Sequence, residues 1–261
     1  MSNLYWLTDE QMCRLQPYFP KSHGKPRVDD RRVLSGIIFV NRNGLRWRDA
    51  PKAYGPHKTL YNRWKRWGEM GVFTRMMEGL AAASAERKTV MIDATYLKAH
   101  RTASSLRVKK GNLGRLIGRT KGGMNTKLHA VSDANGRPLS FFMTAGQFSD
   151  YTGAAALLDD LPKAQWLLAD RGYDADWFRD ALEAKGIKPC IPGRKSRTEP
   201  IRYDKRRYKR RNRIEIMFGR LKDWRRVATR YDRCPTVYFS AIALAATVIF
   251  WLSSTSPDPR Q

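Results

Sequence analysis

The sequence predicts an α/β protein, in which a mixed sheet flanked by helices follows an all-α domain. Three observations carry this prediction. Residues 1–85 place apolar side chains at helical spacing and contain no strand-like run. From residue 88 the pattern changes to short β-branched runs alternating with helical ones. The 261 residues, 42% hydrophobic with eight tryptophans, suffice for a proper core and exclude a disordered chain.

The elements follow in order. Thr8 and Gln11 fit a capping box that opens a first helix. Asp29 or Asp30 caps a second, RRVLSGIIFVNRN, which Gly44 ends. After a turn-rich stretch, TLYNRWKRWGEMG reads as a helix burying Leu60, Trp64 and Trp67, and VFTRMMEGLAAAS closes the region. TVMIDATYL is a strand. TKLHAVSD and RPLSFFMTA are two more, joined by a hairpin at Asn135-Gly136. GAAALLDDL is a helix ended by Pro162, and QWLLAD is a strand. ADWFRDALEAKG is a helix with Asp174 as its N-cap, and IKPCIP is the last strand. A basic helix is expected over 204–227 and an apolar one over 236–252. The latter, at 17 residues with Thr236, Ser240 and Thr247 in it, reads as a buried helix rather than a membrane span. The expected domains are residues 1–85 and 86–252, followed by a frayed tail, 253–261.

The net charge is +26. That makes an enzyme of neutral metabolites a poor fit and a polyanionic partner a good one. Three scattered cysteines form neither a metal pattern nor a disulfide framework, and the first residues lack the character of a signal peptide, so a reducing, cytoplasmic setting is expected. Residues 98–127 carry nine Lys/Arg and no acid, and read as a flexible loop that orders on nucleic acid, with Lys109, Lys110, Arg119 and Lys121 as contacts. Residues 44–67 read as a helix-turn-helix-like unit, with Arg63, Lys65 and Arg66 facing a groove and Asn62 able to read a base edge. The plainer reading of the same residues is a helical bundle with solvated charges.

Two acids stand where acids are costly. Asp93 follows Val90-Met91-Ile92, and Asp170 follows Trp166-Leu167-Leu168-Ala169, each late in a run that reads as a buried strand. Each alone is better explained as the cap of a following turn. A third acid lies in YKRRNRIEIMFGRLK: on an ideal helix Tyr208, Arg211, Glu215 and Lys222 share a stripe about 60° wide. Ile214, Met217, Phe218 and Leu221 form the adjacent apolar face, so Glu215 falls at the border of core and solvent. The alternative is a solvated face stabilised by i,i+4 pairs. His129, in a strand, reads as a core histidine.

The spacing Tyr208-x2-Arg211-x3-Glu215-x6-Lys222 resembles the YREK signature of bacterial insertion-sequence transposases. MIDATYLKAHR, RTKGGMNTKLHAVSDANGRPL, LLADRGYDAD, IPGRK and RNRIEIMFGRLKDWRRVATRYD resemble, in order, the insertion-sequence family 5 branch of that group. GLRWRDAP and TLYNRWKRW are similar to its leading domain. The resemblance implies an RNase H-like core in which Asp93, Asp170 and Glu215 form a DDE triad holding two Mg²⁺, with Mn²⁺ as a substitute. Lys222, Arg211 and Tyr208 would serve phosphate or base contacts, Lys222 also in the chemistry. It implies double-stranded DNA as partner, both terminal inverted repeats and target, and a homodimer or larger synaptic complex. Family members often carry Arg after the glutamate; here Ile216 stands there. The rivals are a non-catalytic DNA-binding protein, such as a repressor, and a basic RNA-binding protein.

Overall fold

A computed structural model describes residues 4–21, 29–83, 88–104 and 114–252. The chain forms two compact units, residues 1–81 with 221–261, and residues 82–220. The expected limits, 1–85 and 86–252, thus differ mainly at the C-terminal side: the last helices cluster with the first ones.

The first unit is helical. Helix α1 (Asp9–Leu15) opens with the Thr8/Gln11 capping box. Helix α2 (Asp30–Asn43) is capped by Asp29 and ends at Gly44, whose φ of 67° suits a residue without a Cβ. Gly36 within α2 is needed for a close approach: a Cβ there would lie 2.7 Å from Cβ of Tyr54. Helices α3 (His57–Glu69) and α4 (Val72–Ala82) follow. The unit expected as helix-turn-helix-like over 44–67 consists of two 3-10 turns, Trp47–Asp49 and Lys52–Tyr54, leading into the single helix α3.

The second unit is built on a mixed sheet. Its strands are β1 (Thr89–Ala99), β2 (Gly118–Thr120), β3 (Gly123–Asp133), β4 (Pro138–Ala145), β5 (Trp166–Leu168) and β6 (Lys188–Cys190). β3 runs antiparallel to β1 on one side and to β4 and β2 on the other; β5 runs parallel to β1, and β6 to β5. Helix α5 (Arg101–Ser104) follows β1, and α6 (Asp150–Leu158) and α7 (Asp176–Ala184) belong to the crossovers. α6 packs on β3 so closely that a Cβ on Gly153 would meet Nδ1 of His129 at 2.3 Å. His129 itself stacks on Phe142, as a core histidine does.

The basic stretch 98–127 is not a flexible loop where it is described: it contains the end of β1, α5, β2 and the start of β3. Backbone pairing to β3 supplies the order that its glycine and charge content concealed. Lys109 and Lys110 lie outside the described residues.

The basic helix expected over 204–227 is broken into α8 (Lys205–Tyr208), a 3-10 turn (Lys209–Arg211), α9 (Asn212–Lys222) and α10 (Arg225–Ala228). Clustered arginines give no sequence signal for such a break. The apolar run forms α11 (Pro235–Ala246) with a π turn (Thr247–Trp251) and is buried in the first unit against α2 and α3. No helix of the described residues is long and apolar enough to cross a membrane.

Candidate active site

Register brings the first two acids side by side on neighbouring strands. Met91 of β1 is the Cα partner of Leu168 in β5. Two residues further on, each strand reaches its aspartate, Asp93 and Asp170. Asp93 stands in the middle of β1 and Asp170 two residues past the end of the shorter β5, so the two lie level with each other on strands about 4.8 Å apart. In open α/β sheets sites form beyond the carboxyl ends of strands, which is where Asp170 follows β5. Asp170 also caps the 3-10 turn Arg171–Tyr173, its Oδ1 accepting from the Gly172 N–H at 2.8 Å. The turn-capping explanation therefore holds for one oxygen of Asp170.

Glu215 arrives on α9, which buries Ile214, Met217 and Phe218. The start of this helix is held by the β3–β4 hairpin. Arg213 donates to the Ala134 carbonyl and to Oδ1 of Asn135, at 3.2 and 2.9 Å. Gly136 has a φ of 76°, and a Cβ there would lie 2.6 Å from the Arg213 carbonyl. Asp133 accepts from the N–H groups of Asn135 and Arg137 and from the Arg137 guanidinium, which fixes the hairpin.

Arg211 links the acids. Its guanidinium donates to Oδ2 of Asp93 at 2.8 Å and also pairs with Glu215. The Asp93 side chain is only 14% exposed. Burial pushes its pKa from 3.8 up to about 6; Arg211 and the Ala94 N–H oppose this, while the charges of Asp170 and Glu215 add to it. Asp93 therefore senses both other acids.

The set fits a hard divalent cation in its chemistry: three carboxylates supply oxygen donors. Arg211 supplies the cation between two of them. Among the described residues, no three His, Cys, Asp or Glu side chains converge closely enough to hold one ion as they stand.

Tyr208 lies beside this cluster, with the Arg211 guanidinium 5.8 Å from its ring centroid. Lys222 ends α9 and is exposed; partial desolvation lowers its pKa. On α3, Asn62, Lys65 and Arg66 are exposed, opposite the buried Leu60, Trp64 and Trp67. Arg63 is half-buried, its guanidinium over Trp67, and Lys65 pairs with Glu69 at 3.8 Å. Arg119 and Lys121 are exposed in and after β2.

Asp174 is not an N-cap. Ala175 stands at that position without a side-chain bond. The Asp174 carboxylate is buried and accepts from Arg179, Arg197 and the Arg194 N–H. Burial alone would raise its pKa; these donors outweigh it and hold the value at about 2. Arg194 then donates to the carbonyls of Arg171 and Gly172, the turn that Asp170 caps. Sequence reasoning missed Arg194 and Arg213 as supports. Their partners are 22 and 78 residues away, and only the IPGRK resemblance marked Arg194.

Known proteins match this chain along most of its length. The family described as Transposase DDE domain matches residues 84–250, and the IS4/5 family transposase family DUF4096 matches residues 7–77. The chain is 39% identical over 131 residues to a transposase assigned to insertion sequence element IS6501 of Brucella ovis, covering 49% of this chain and 99% of that one. It is 32% identical over 137 residues to one assigned to element IS402 of Burkholderia cepacia, covering 48% and 63%. Among solved structures, a piggyBac transposase synaptic complex with hairpin DNA superposes with a TM-score of 0.53 at 8% identity, over 95% of this chain and 73% of that one. At that identity the likeness concerns the fold, the RNase H-like core expected from the sequence.

Proposed function

The chain belongs to the DDE transposase family, and from that premise we propose that it moves its own insertion sequence. In this reading it binds the element's terminal inverted repeats, cuts DNA by phosphodiester hydrolysis and joins the 3′ ends to target DNA. The observation that carries the reading is that the charges of Asp170 and Glu215 both act on the buried Asp93, with Arg211 between Asp93 and Glu215.

Asp93, Asp170 and Glu215 would hold Mg²⁺ or Mn²⁺. When bound, two such ions supply Lewis-acid activation of an attacking oxygen and stabilisation of a leaving one. The protein's own residues do the rest. Arg194 and the Gly172 N–H hold Asp170 in place. Arg213 holds α9 so that Glu215 faces Asp93. Arg211 pairs with Asp93 and Glu215, and its planar fork would suit a DNA phosphate. In this reading Lys222, which ends α9, offsets developing charge along the phosphate path. Tyr208 stacks or bonds along that path. Arg63, Lys65, Arg66 and Asn62 of α3 recognise the repeats, and Arg119 and Lys121 add phosphate contacts. Two ends must be joined, so the working form is a dimer or larger.

The test uses linear DNA carrying the flanks of the protein's own gene, incubated with Mg²⁺, Mn²⁺ or EDTA. Breaks at defined ends that need metal support the proposal. Specific binding with no break under either metal favours the repressor reading instead.

A further inference from the structure

A concavity lies on the face of β1 opposite that of Asp93. It has a volume of about 450 Å³ and is lined by Tyr96, Lys98, Thr120, Lys121, Gly122 and Asn125. Strand alternation explains its position: Asp93, Thr95 and Leu97 point to one face of β1, and Tyr96 and Lys98 to the other. The paired residues of β3, Lys127 opposite Tyr96 and Asn125 opposite Lys98, share that second face.

The walls are pre-formed. Lys121-Gly122 is the two-residue turn between β2 and β3. Oγ1 of Thr120 accepts from the Gly122 N–H at 3.2 Å and from Nδ2 of Asn125 at 2.6 Å. Nδ2 of Asn125 also reaches the Gly123 carbonyl at 2.9 Å. Asn125 is buried, so the turn is braced from beneath rather than from solvent. On this rigid rim Lys98 and Lys121 are exposed. Tyr96 is 49% exposed although Nζ of Lys127 sits 5.3 Å from its ring centroid. A large aromatic on a strand normally buries its ring; this one shows it to a basic hollow.

Resting on the DNA reading above, we propose that this groove is a subsite for one unstacked nucleotide of single-stranded DNA. Its base lies on Tyr96 and its phosphates meet Lys98 and Lys121. A duplex hides the faces of its bases and presents a convex backbone, so it gains little from a recessed ring. An unstacked base has both faces to offer, and every base has a π-face, so the subsite tolerates sequence. The pre-braced turn lowers the ordering cost of binding.

The full chain is tested by fluorescence anisotropy with a short fluorescein-labelled oligothymidylate, and separately with a duplex carrying the gene's flank. Tyr96→Ala is expected to weaken the single strand about tenfold, and Tyr96→Phe to bind it like wild type. Lys98→Ala and Lys121→Ala each flatten the single-strand salt dependence by about 0.7 in log–log slope. Duplex affinity stays at the wild-type level in both Tyr96 variants and in Lys98→Ala, and melting temperature stays there in all four, which shows that they fold. The proposal is overturned if wild type ignores the oligothymidylate, if Tyr96→Ala binds it unchanged, or if Tyr96→Ala loses duplex as well. It is also overturned if an RNA oligomer displaces the strand better than DNA does. Failure of wild type to bind the duplex strikes the DNA reading itself, a result separate from these.

Discussion

Asp93 pays for its position in the site. Its carboxyl is held at about 6 against 3.8 for the free side chain, so the folded chain binds its proton more tightly than the unfolded chain. Stability from this group is therefore full below about pH 4 and is lost as pH rises through about 6. Above that, a buried charge costs roughly 1–3 kcal/mol. Asp93→Asn is thus expected to melt higher than wild type at pH 7.5 in EDTA, with the gain gone by pH 4.5. Added Mn²⁺ then raises the melting temperature of wild type and not of the variant. An equal metal response in both, followed by scanning calorimetry, removes Asp93 from the cation site. Most of this was legible in the sequence: the two acids end apolar runs, and the four-residue step from Arg211 to Glu215 is an i,i+4 pair in the fold. The contact of Arg211 with Asp93 was not, because it spans 118 residues.

Elements are where the sequence reading and the fold part most clearly. Helical periodicity found α9 and its apolar face but ran it back through residues 205–211, where a 3-10 turn intervenes. The stripe survives for Arg211 and Glu215 because the regular part of the helix begins one residue after Arg211. Asp174 looked like a cap from its place before a helix; three donors from the 179–197 region claim it instead. This network ties the segment after β6 to the turn after β5, and Arg194 is its link to Asp170. Arg194→Ala is expected to weaken Mn²⁺ binding at least tenfold, as removing the support of a ligand does, while leaving DNA binding intact. Arg194→Lys, which keeps a donor, recovers part of the loss. Calorimetric titration with Mn²⁺ reads both; unchanged metal affinity in Arg194→Ala makes the residue a loop brace only.

At the scale of the whole molecule, charge dominates. A net +26 spread over both units predicts DNA affinity that falls steeply with salt. With six to ten phosphate contacts the loss is about 10³-fold or more between 50 and 200 mM salt. Filter binding across that range checks this, and a flat response contradicts the polyanion reading. The two-unit organisation also dictates how end recognition is tested. Deleting residues 1–85 would strip the helices that bury α11, so it unfolds a unit rather than removing a module. Asn62→Ala with Arg66→Ala, both exposed on α3, is the sound choice. That pair is expected to lose preference for the element's ends while keeping general DNA affinity. Composition foretold the basic surface and the buried apolar helix. It gave no sign that the chain's last helices return to its first, since that packing is a property of the folded core and not of any local pattern.

The central claim is that Asp93, Asp170 and Glu215 act as one site. It is tested most directly by comparing wild type with Asp93→Asn, Asp170→Ala and Glu215→Gln on end-bearing DNA in Mn²⁺, reading binding and strand breaks from the same samples. The account predicts that every variant binds the ends as wild type does and that none cuts them. Cutting at wild-type rate by any one of the three would contradict it and remove that acid from the site.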